Sequence, residues 1–148
     1  MLLAVGVHLQ IADGLPATLQ LASLALVWAL ALGITAGVLS AVRQNTALDH
    51  GLMGVAMLGI SLPSFVLGPL LALTFGLTFY LLPPGGWGSL RHVVLPGITL
   101  GSYYAAYIAR LTRGGMLEVV HMDYVRMARA KGLPEHIIVL RHMLRGGL

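Results

Sequence analysis

The chain has 148 residues, of which 57% are hydrophobic and only 9% are charged. Soluble proteins carry a charge on about a quarter of their residues, so this composition excludes a soluble globular enzyme. It also excludes an intrinsically disordered chain, which needs low hydrophobicity and high charge. The absence of cysteine excludes a disulfide scaffold and thiolate metal sites. The composition therefore predicts a membrane protein, and the long uncharged runs described below predict that it is all-α.

The formal net charge of +4 is concentrated at the carboxy-terminal end. Residues 1–109 hold two basic and two acidic side chains, whereas residues 110–148 hold seven basic and three acidic ones. Such a basic segment could bind nucleic acid or anionic lipid. Next to membrane spans it more often marks the cytoplasmic side, and we favour that interpretation.

Three uncharged runs predict three spanning helices, because a bilayer core of ~30 Å needs about 20 apolar residues in a helix. Pro16 suits the first turn of the first helix. Turn residues at 83–86 end the second helix near Leu82, and Arg110 and Arg113 close the third. The predicted order is an external segment at 1–15, a span at 16–42, a cytoplasmic loop at 43–50, a span at 51–82, an external loop at 83–92, a span at 93–113 and a cytoplasmic segment at 114–148.

Glycine spacing indicates where the spans pack closely. Gly33 and Gly37 lie four residues apart, as do Gly97 and Gly101. Each pair falls on one helical face, where the missing side chains let two helix backbones approach. With 19 glycines in the chain, some of these spacings arise by chance.

Pro63 and Pro69 interrupt the second predicted span, and each is expected to bend it. One interpretation is a static kink inside a packed bundle. The other is a bent helix that lines a pathway, with the hydroxyls of Ser61 and Ser64 facing water or solute. The residues that we assign to a pathway on this second interpretation are Ser61, Pro63, Ser64, Phe65 and Tyr103.

The sequence contains no recognisable catalytic motif. The only lysine, Lys131, follows alanine rather than glycine, so a phosphate-binding loop of the P-loop type is absent. No ionisable side chain lies in the middle of a predicted span, which disfavours a proton-coupled transporter. Solvated histidines are a better interpretation of the His121–Asp123 and His136–His142 spacings than metal ligands are. We therefore predict a protein that is not an enzyme and holds no cofactor or metal, with energy supplied from elsewhere.

The basic segment is predicted to form a helix, a glycine turn and a second helix. Asp123 is a suitable N-cap for a helix over residues 124–131. Gly132 can adopt the left-handed conformation that ends a helix, and Pro134 opens the next one. The expected apolar face of that second helix is made by Ile137, Leu140 and Leu144.

The first of these helices carries an apolar patch, formed by Tyr124, Met127 and Ala128 and flanked by Arg126 and Arg129. Such a patch could anchor the helix at the membrane interface. It could equally sit in a groove of a partner protein. Charge and spacing alone leave these two interpretations about even.

The motifs of the chain, taken in order, are similar to those of the inner-membrane permease subunits of peptide-importing ABC transporters. The resemblance covers nearly the whole chain, and the basic segment resembles that family's cytoplasmic EAA loop. The segments that carry it are 15–19, 61–68, 86–89 (Gly86, Trp87, Gly88, Ser89), 109–113, 123–133 and 141–145.

The resemblance implies a bundle like the transmembrane domain of a type I ABC importer, in the bacterial inner membrane. The implied partners are a second permease subunit, two ABC ATPase subunits that hydrolyse ATP, an external peptide-binding protein and membrane lipid, without nucleic acid. The loop at 123–145 would couple ATPase motion to alternating access. The residues implied to contact an ATPase are Asp123, Tyr124, Arg126, Met127, Ala128, Arg129, Ala130, Lys131, Gly132 and Pro134.

The chain departs from the family pattern at three points. Met127 replaces a small or polar residue, and Gly146-Gly147 replaces Asn-Ala, which is expected to loosen the second tail helix. Family members also have further spanning helices on both sides, so a partial permease is expected. The alternatives are a membrane-anchored scaffold or a non-functional fragment whose tail binds a soluble partner or anionic lipid. Oligopeptide, dipeptide, nickel and glutathione all remain open as substrates.

Overall fold

The computed structural model describes residues 2–86 and 88–147. For residues 2–11 and 13 it describes the backbone only. Trp87, part of the 86–89 motif, lies outside the described residues. All regular structure within them is helical, which confirms the all-α prediction. The helices are α1 (Leu2–Val42), α2 (Ala47–Ser61), α3 (Ser64–Leu71) with a π-helical extension (Ala72–Thr78), α4 (Leu90–Val119), α5 (Asp123–Ala130), α6 (Glu135–Ile137) with a π-helical extension (Ile138–Met143), and α7 (Leu144–Gly147).

The chain forms two compact units. The first comprises Met1–Trp28 and Pro63–Ser102, and the second comprises Ala29–Leu62 and Tyr103–Leu148. Each unit therefore contains one part of α1 and one part of α4.

Within each unit, small residues bring α1 and α4 together, as the glycine spacing predicted. In the first unit, a Cβ atom on Gly101 would lie 2.8 Å from the carbonyl oxygen of Ala25. In the second unit, a Cβ atom on Gly33 would lie 2.8 Å from the carbonyl oxygen of Ala105. Real Cβ atoms do not approach oxygen so closely, so both helix contacts require glycine.

Part of α1, Gly14–Val42, is long and apolar enough to cross a membrane. Helix α2 and the segment Ser64–Thr78 meet the same criterion only when taken together as a bent pair. Among the described residues this gives one candidate span, or two if the bent pair is one broken span. Helix α4 is not among these candidates, so the third predicted span stays a prediction.

The helix bounds differ from the predicted ones at the start of the first span and at both ends of the second, whereas the first span ends at Val42 as predicted. Helix α1 begins at Leu2, and Pro16 lies inside it rather than in its first turn. A single proline removes only one backbone hydrogen bond, and the apolar helix continues through it. The second predicted span ends as a helix at Thr78 instead of Leu82, because Tyr80 adopts a positive φ of 52°.

Pro63 breaks the second predicted span, whereas Pro69 does not. Leu62 and Pro63 both have extended backbone, with ψ of 115° and 144°, so Pro63 takes the N-cap position of α3. Pro69 lies within α3, which continues to Leu71. Pro69 therefore does not interrupt the helix as Pro63 does, and the bend expected there stays a prediction.

Candidate functional site

The carboxy-terminal segment folds onto an apolar core within the second unit. The end of α4 supplies the fully buried Met116, and the end of α1 supplies Ala41. The end of α4 also supplies Val119, and the tail helices that follow supply the other buried side chains, so these helices are held by packing rather than by helix propensity alone. The buried members of this core are Ala41, Met116, Val119, Val125, Ala128, Ile138, Val139 and Met143.

The buried face of the second tail helix is not the predicted one. Ile138, Val139 and Met143 are buried, whereas Leu140 is 65% exposed. The reason is the π-helical stretch Ile138–Met143, in which the i to i+5 hydrogen-bond pattern rotates successive side chains differently from an α-helix. The face inferred from an α-helical period was therefore wrong at Leu140, whereas Ile137 and Leu144 are partly buried and Leu144 packs against the core.

Helix α5 begins differently from the prediction but exposes most of the expected surface. Met122, with extended backbone, takes the N-cap position, and Asp123 is the first helical residue. At that place its carboxylate still lies in the first turn, where the helix dipole favours negative charge. Val125 and Ala128 are buried three residues apart and fix the orientation of the helix. Ala128 is 5% exposed, so it belongs to the core and not to the exposed patch.

The remaining predicted coupling residues form what we call the coupling surface. It combines apolar side chains that are about half exposed, Tyr124 at 44% and Met127 at 58%, with the cations of the same segment. The coupling surface consists of Asp123, Tyr124, Arg126, Met127, Arg129, Ala130, Lys131, Gly132 and Pro134, all of them exposed.

The turn after α5 is built as predicted. Gly132 has a φ of 75°, and its N–H donates to the carbonyl of Arg129 over 2.9 Å. Pro134 follows as the N-cap of α6. Arg129 spans the turn and binds Glu135, with Nη2 2.7 Å from Oε1 and Nε 3.3 Å from Oε2. These hydrogen bonds from Arg129 hold the pKa of the Glu135 carboxyl below its ordinary value.

The two glycines at the end of α7 pack tightly, whereas the sequence led us to expect a loosened helix. A Cβ atom on Gly146 would lie 2.6 Å from the hydroxyl oxygen of Tyr124. A Cβ atom on Gly147 would lie 2.9 Å from the backbone nitrogen of Met116. The glycines therefore allow α7 to contact both α5 and the end of α4.

A buried charge cluster, which sequence reasoning missed, lies beside this core. The Asp49 side chain is only 3% exposed and accepts two hydrogen bonds from Arg113, Nε to Oδ1 and Nη2 to Oδ2, each 2.8 Å long. The hydroxyl of Ser40 and the N–H of Asn45 donate to the same carboxylate. The cluster ties α1, the following turn, α2 and α4 together.

One signal in the sequence could have found this cluster. Asp49 is the only acidic residue between positions 14 and 117, so it needs a basic partner if it is buried. We had interpreted Arg113 as a side chain that extends to the membrane interface. Its side chain is 26% exposed and is engaged by Asp49 instead.

The residues assigned to a pathway are exposed, but they fall in different units. Ser61 and Tyr103 belong to the second unit, whereas Pro63, Ser64 and Phe65 belong to the first. Phe65 is 77% exposed and Tyr103 is 48% exposed. Exposure is compatible with a lining role and also with contact to lipid, so the pathway assignment stays a prediction.

Comparison with known proteins identifies the family. Residues 33–148 match the family described as binding-protein-dependent transport system inner membrane component. The chain is 46% identical over 140 residues to the oligopeptide transport system permease protein OppB of Escherichia coli K12, covering 93% of this chain and 46% of that protein. It is 43% identical over 135 residues to the dipeptide transport system permease protein DppB of Bacillus subtilis, covering 91% and 44%.

A third relative is the glutathione transport system permease protein GsiC of Escherichia coli O1:K1, 42% identical over 139 residues and covered to 45%. The chain thus spans about half the length of the relatives that it matches. The family match takes in α2 to α7, including the coupling surface and the Asp49 cluster. The chain belongs to the family of binding-protein-dependent transport system inner membrane components.

Proposed function

We propose that the chain is part of a transmembrane permease subunit of an ATP-driven peptide importer. Its helices form part of the translocation pathway, together with a second permease subunit. An external binding protein delivers the peptide, and two ATPase subunits supply the energy. The family match over residues 33–148 supports this proposal, as do the names of the three relatives.

The coupling surface is the part of the chain that we assign to ATPase contact. The observation that carries this assignment is the division of α5 into two faces. Val125 and Ala128 are buried in the core, while Tyr124, Arg126 and Met127 of the same helix are exposed. Force applied to the exposed face reaches the end of α4 through the buried face, because close-packed side chains transmit displacement.

The mixed chemistry of the coupling surface fits a protein groove better than a lipid surface. Lipid anchors of the interfacial type place apolar side chains together on one face of a helix. The apolar face of α5, with Val125 and Ala128, packs into the core of the unit and is therefore not free to contact lipid. Met127 and Tyr124 instead lie beside Arg126. Apolar anchor residues next to polar ones are typical of protein–protein interfaces.

A chimera tests both the function and the surface. The 140-residue segment of Escherichia coli K12 OppB that this chain matches is replaced by this chain's residues, in cells that lack OppB. Uptake of a radiolabelled peptide and co-purification of the ATPase subunits are measured. We expect the chimera to restore uptake, and Met127→Asp to abolish both uptake and co-purification by desolvating a charge in the groove.

Leu140→Asp is the matched control, because Leu140 is 65% exposed and Met127 is 58% exposed. Both variants place the same charge on an exposed apolar position of the tail, so both should insert normally. Equal loss of co-purification in the two variants would contradict the assigned surface. An inserted chimera that restores no uptake would contradict the proposed function.

A further inference from the structure

A cavity of about 270 Å³ lies between α2 and α4 within the second unit. It is separate from the coupling surface and shares no residue with it. One part of its wall is charged and the other part is apolar. The lining residues are Asp49, His50, Met53, Met57, Arg110 and Arg113.

The charge of this cavity is positive, although an acid lines it. The carboxylate of Asp49 is already satisfied by Arg113, by the Ser40 hydroxyl and by the Asn45 N–H. Arg113 and Asp49 neutralise each other. Arg110 is exposed and forms no ion pair with any other described residue. Arg110 therefore lies at the cavity without a counter-charge from any side chain that the structure describes.

The apolar part of the wall is made by methionine. Met57 is 61% exposed and Met53 is partly buried, one turn apart on α2. Methionine side chains are flexible and adapt to irregular apolar ligands. Helix α2 also belongs to the bent apolar pair that meets the length and hydropathy criterion for a span. The cation matches the phosphate of an anionic phospholipid, and the adaptable apolar wall beside it matches the start of an acyl chain.

We infer that this cavity is a binding site for the headgroup of an anionic phospholipid. Arg110 donates hydrogen bonds to the phosphodiester oxygens, since a guanidinium binds phosphate in a bidentate fashion. Met53 and Met57 contact the glycerol and the first methylene groups of an acyl chain. Asp49 and Arg113 also line the cavity, and their pairing keeps the carboxylate from repelling the phosphate. Basic pockets beside membrane helices commonly serve this purpose.

The test uses the full chain in detergent, with phosphatidylglycerol as the probe and native mass spectrometry as the readout. The apparent affinity for phosphatidylglycerol is compared with that for phosphatidylcholine and for glycerol 3-phosphate. We expect Arg110→Gln to weaken phosphatidylglycerol binding about tenfold, the loss of roughly one charge-assisted hydrogen bond. Met57→Glu, which places a negative charge in the exposed wall, should weaken it at least as much.

Arg91→Gln is the matched control, because Arg91 is also an exposed arginine of α4, at the other end of that helix. Unchanged binding in this variant supports the inference. An equal loss in Arg91→Gln and Arg110→Gln would overturn it, since net charge alone would then explain binding. Equal affinity for glycerol 3-phosphate, or for phosphatidylcholine, would also overturn it, because neither combines the anionic headgroup with an acyl chain.

Discussion

At the level of single residues, Asp49 is a buried carboxylate held by four hydrogen bonds. A buried carboxylate is costly unless it is paired and its remaining lone pairs are satisfied. Arg113 supplies two donors in a fixed planar arrangement, and Ser40 and Asn45 supply one each. The pairing is specific to the guanidinium, because an ammonium group cannot make the two parallel hydrogen bonds.

Arg113→Ala should therefore lower the free energy of unfolding of the full chain in detergent by about 3 kcal/mol. This value is at the low end of the range for breaking a buried ion pair, because the Arg113 side chain is 26% exposed. Arg113→Lys should cost less, since it keeps the charge. The melting temperature measures both effects. Arg91→Ala is the control, as it removes an exposed arginine from the same helix. A melting temperature that is equally low in Arg113→Ala and Arg91→Ala would argue against the cluster.

The Arg129–Glu135 pair gives a residue-level prediction about pH. Because the pKa of Glu135 is lowered in the folded state, its contribution to stability is present above the ordinary glutamate pKa. That contribution is lost as the pH falls through the lowered value. The pair is half exposed, so the effect is small.

In an NMR titration, the midpoint of Glu135 should lie below that of a model peptide and should rise in Arg129→Gln. Arg129→Gln should also lower the melting temperature near pH 7, and its effect should shrink as the pH falls through the lowered pKa of Glu135. A midpoint that is the same with and without Arg129 would show that the pair does not form in solution.

At the level of elements, glycine decides how closely α1 and α4 approach in the second unit. A Cβ atom on Gly37 would lie 2.6 Å from the carbonyl oxygen of Ala109 and 2.7 Å from Cβ of Thr112. Backbone atoms cannot move aside as the end of a side chain can. The helices must separate if Gly37 gains a side chain.

Gly37→Ala should therefore destabilise the chain by about 1 to 3 kcal/mol, the usual cost of overpacking. Gly54→Ala is the matched control, because a Cβ atom on Gly54 of α2 would have no neighbour within 4 Å. Alanine is the better helix former, so this control should be neutral or slightly stabilising. Thermal unfolding of both variants in detergent provides the comparison, and equal melting temperatures would contradict the close approach.

At the scale of the whole molecule, charge asymmetry is the argument for orientation. All of the excess positive charge lies in residues 110–148, which include the coupling surface. Positive segments stay on the cytoplasmic side, so the loop at 43–50 and the tail should share that side. The loop at 83–92 should face the other side if three spans exist.

The absence of native cysteine makes this topology directly testable by single-cysteine labelling. Gln44→Cys and Lys131→Cys should react with a membrane-impermeant maleimide only after the cytoplasmic side is opened. Gly85→Cys should react in intact cells. All three positions are exposed, so reactivity reports the side of the membrane. Labelling of Gly85→Cys from the cytoplasmic side would show that the bent pair enters and leaves the membrane on one side.

The sequence by itself determined the features that depend on composition or on neighbouring residues. These are the all-α membrane class, the break at Pro63, the left-handed turn at Gly132 and the small-residue contacts of the spans. Each follows from the conformational limits of one residue or from the hydropathy of a short window. The ordered short motifs of the chain also indicate its family.

Only the tertiary structure decided which distant residues meet. Asp49 and Arg113 are 64 positions apart, and no local pattern pairs them. Ala128 looks like part of an exposed patch until the core formed by α1, α4 and the tail covers it. The buried face over Ile138–Met143 depends on a π-helical turn, which packing against Met116 and Val119 stabilises and helical periodicity does not predict. In each case the deciding contact is with an element remote in sequence, through hydrogen bonds for Asp49 and through apolar burial for the tail helices, and propensity and spacing contain neither.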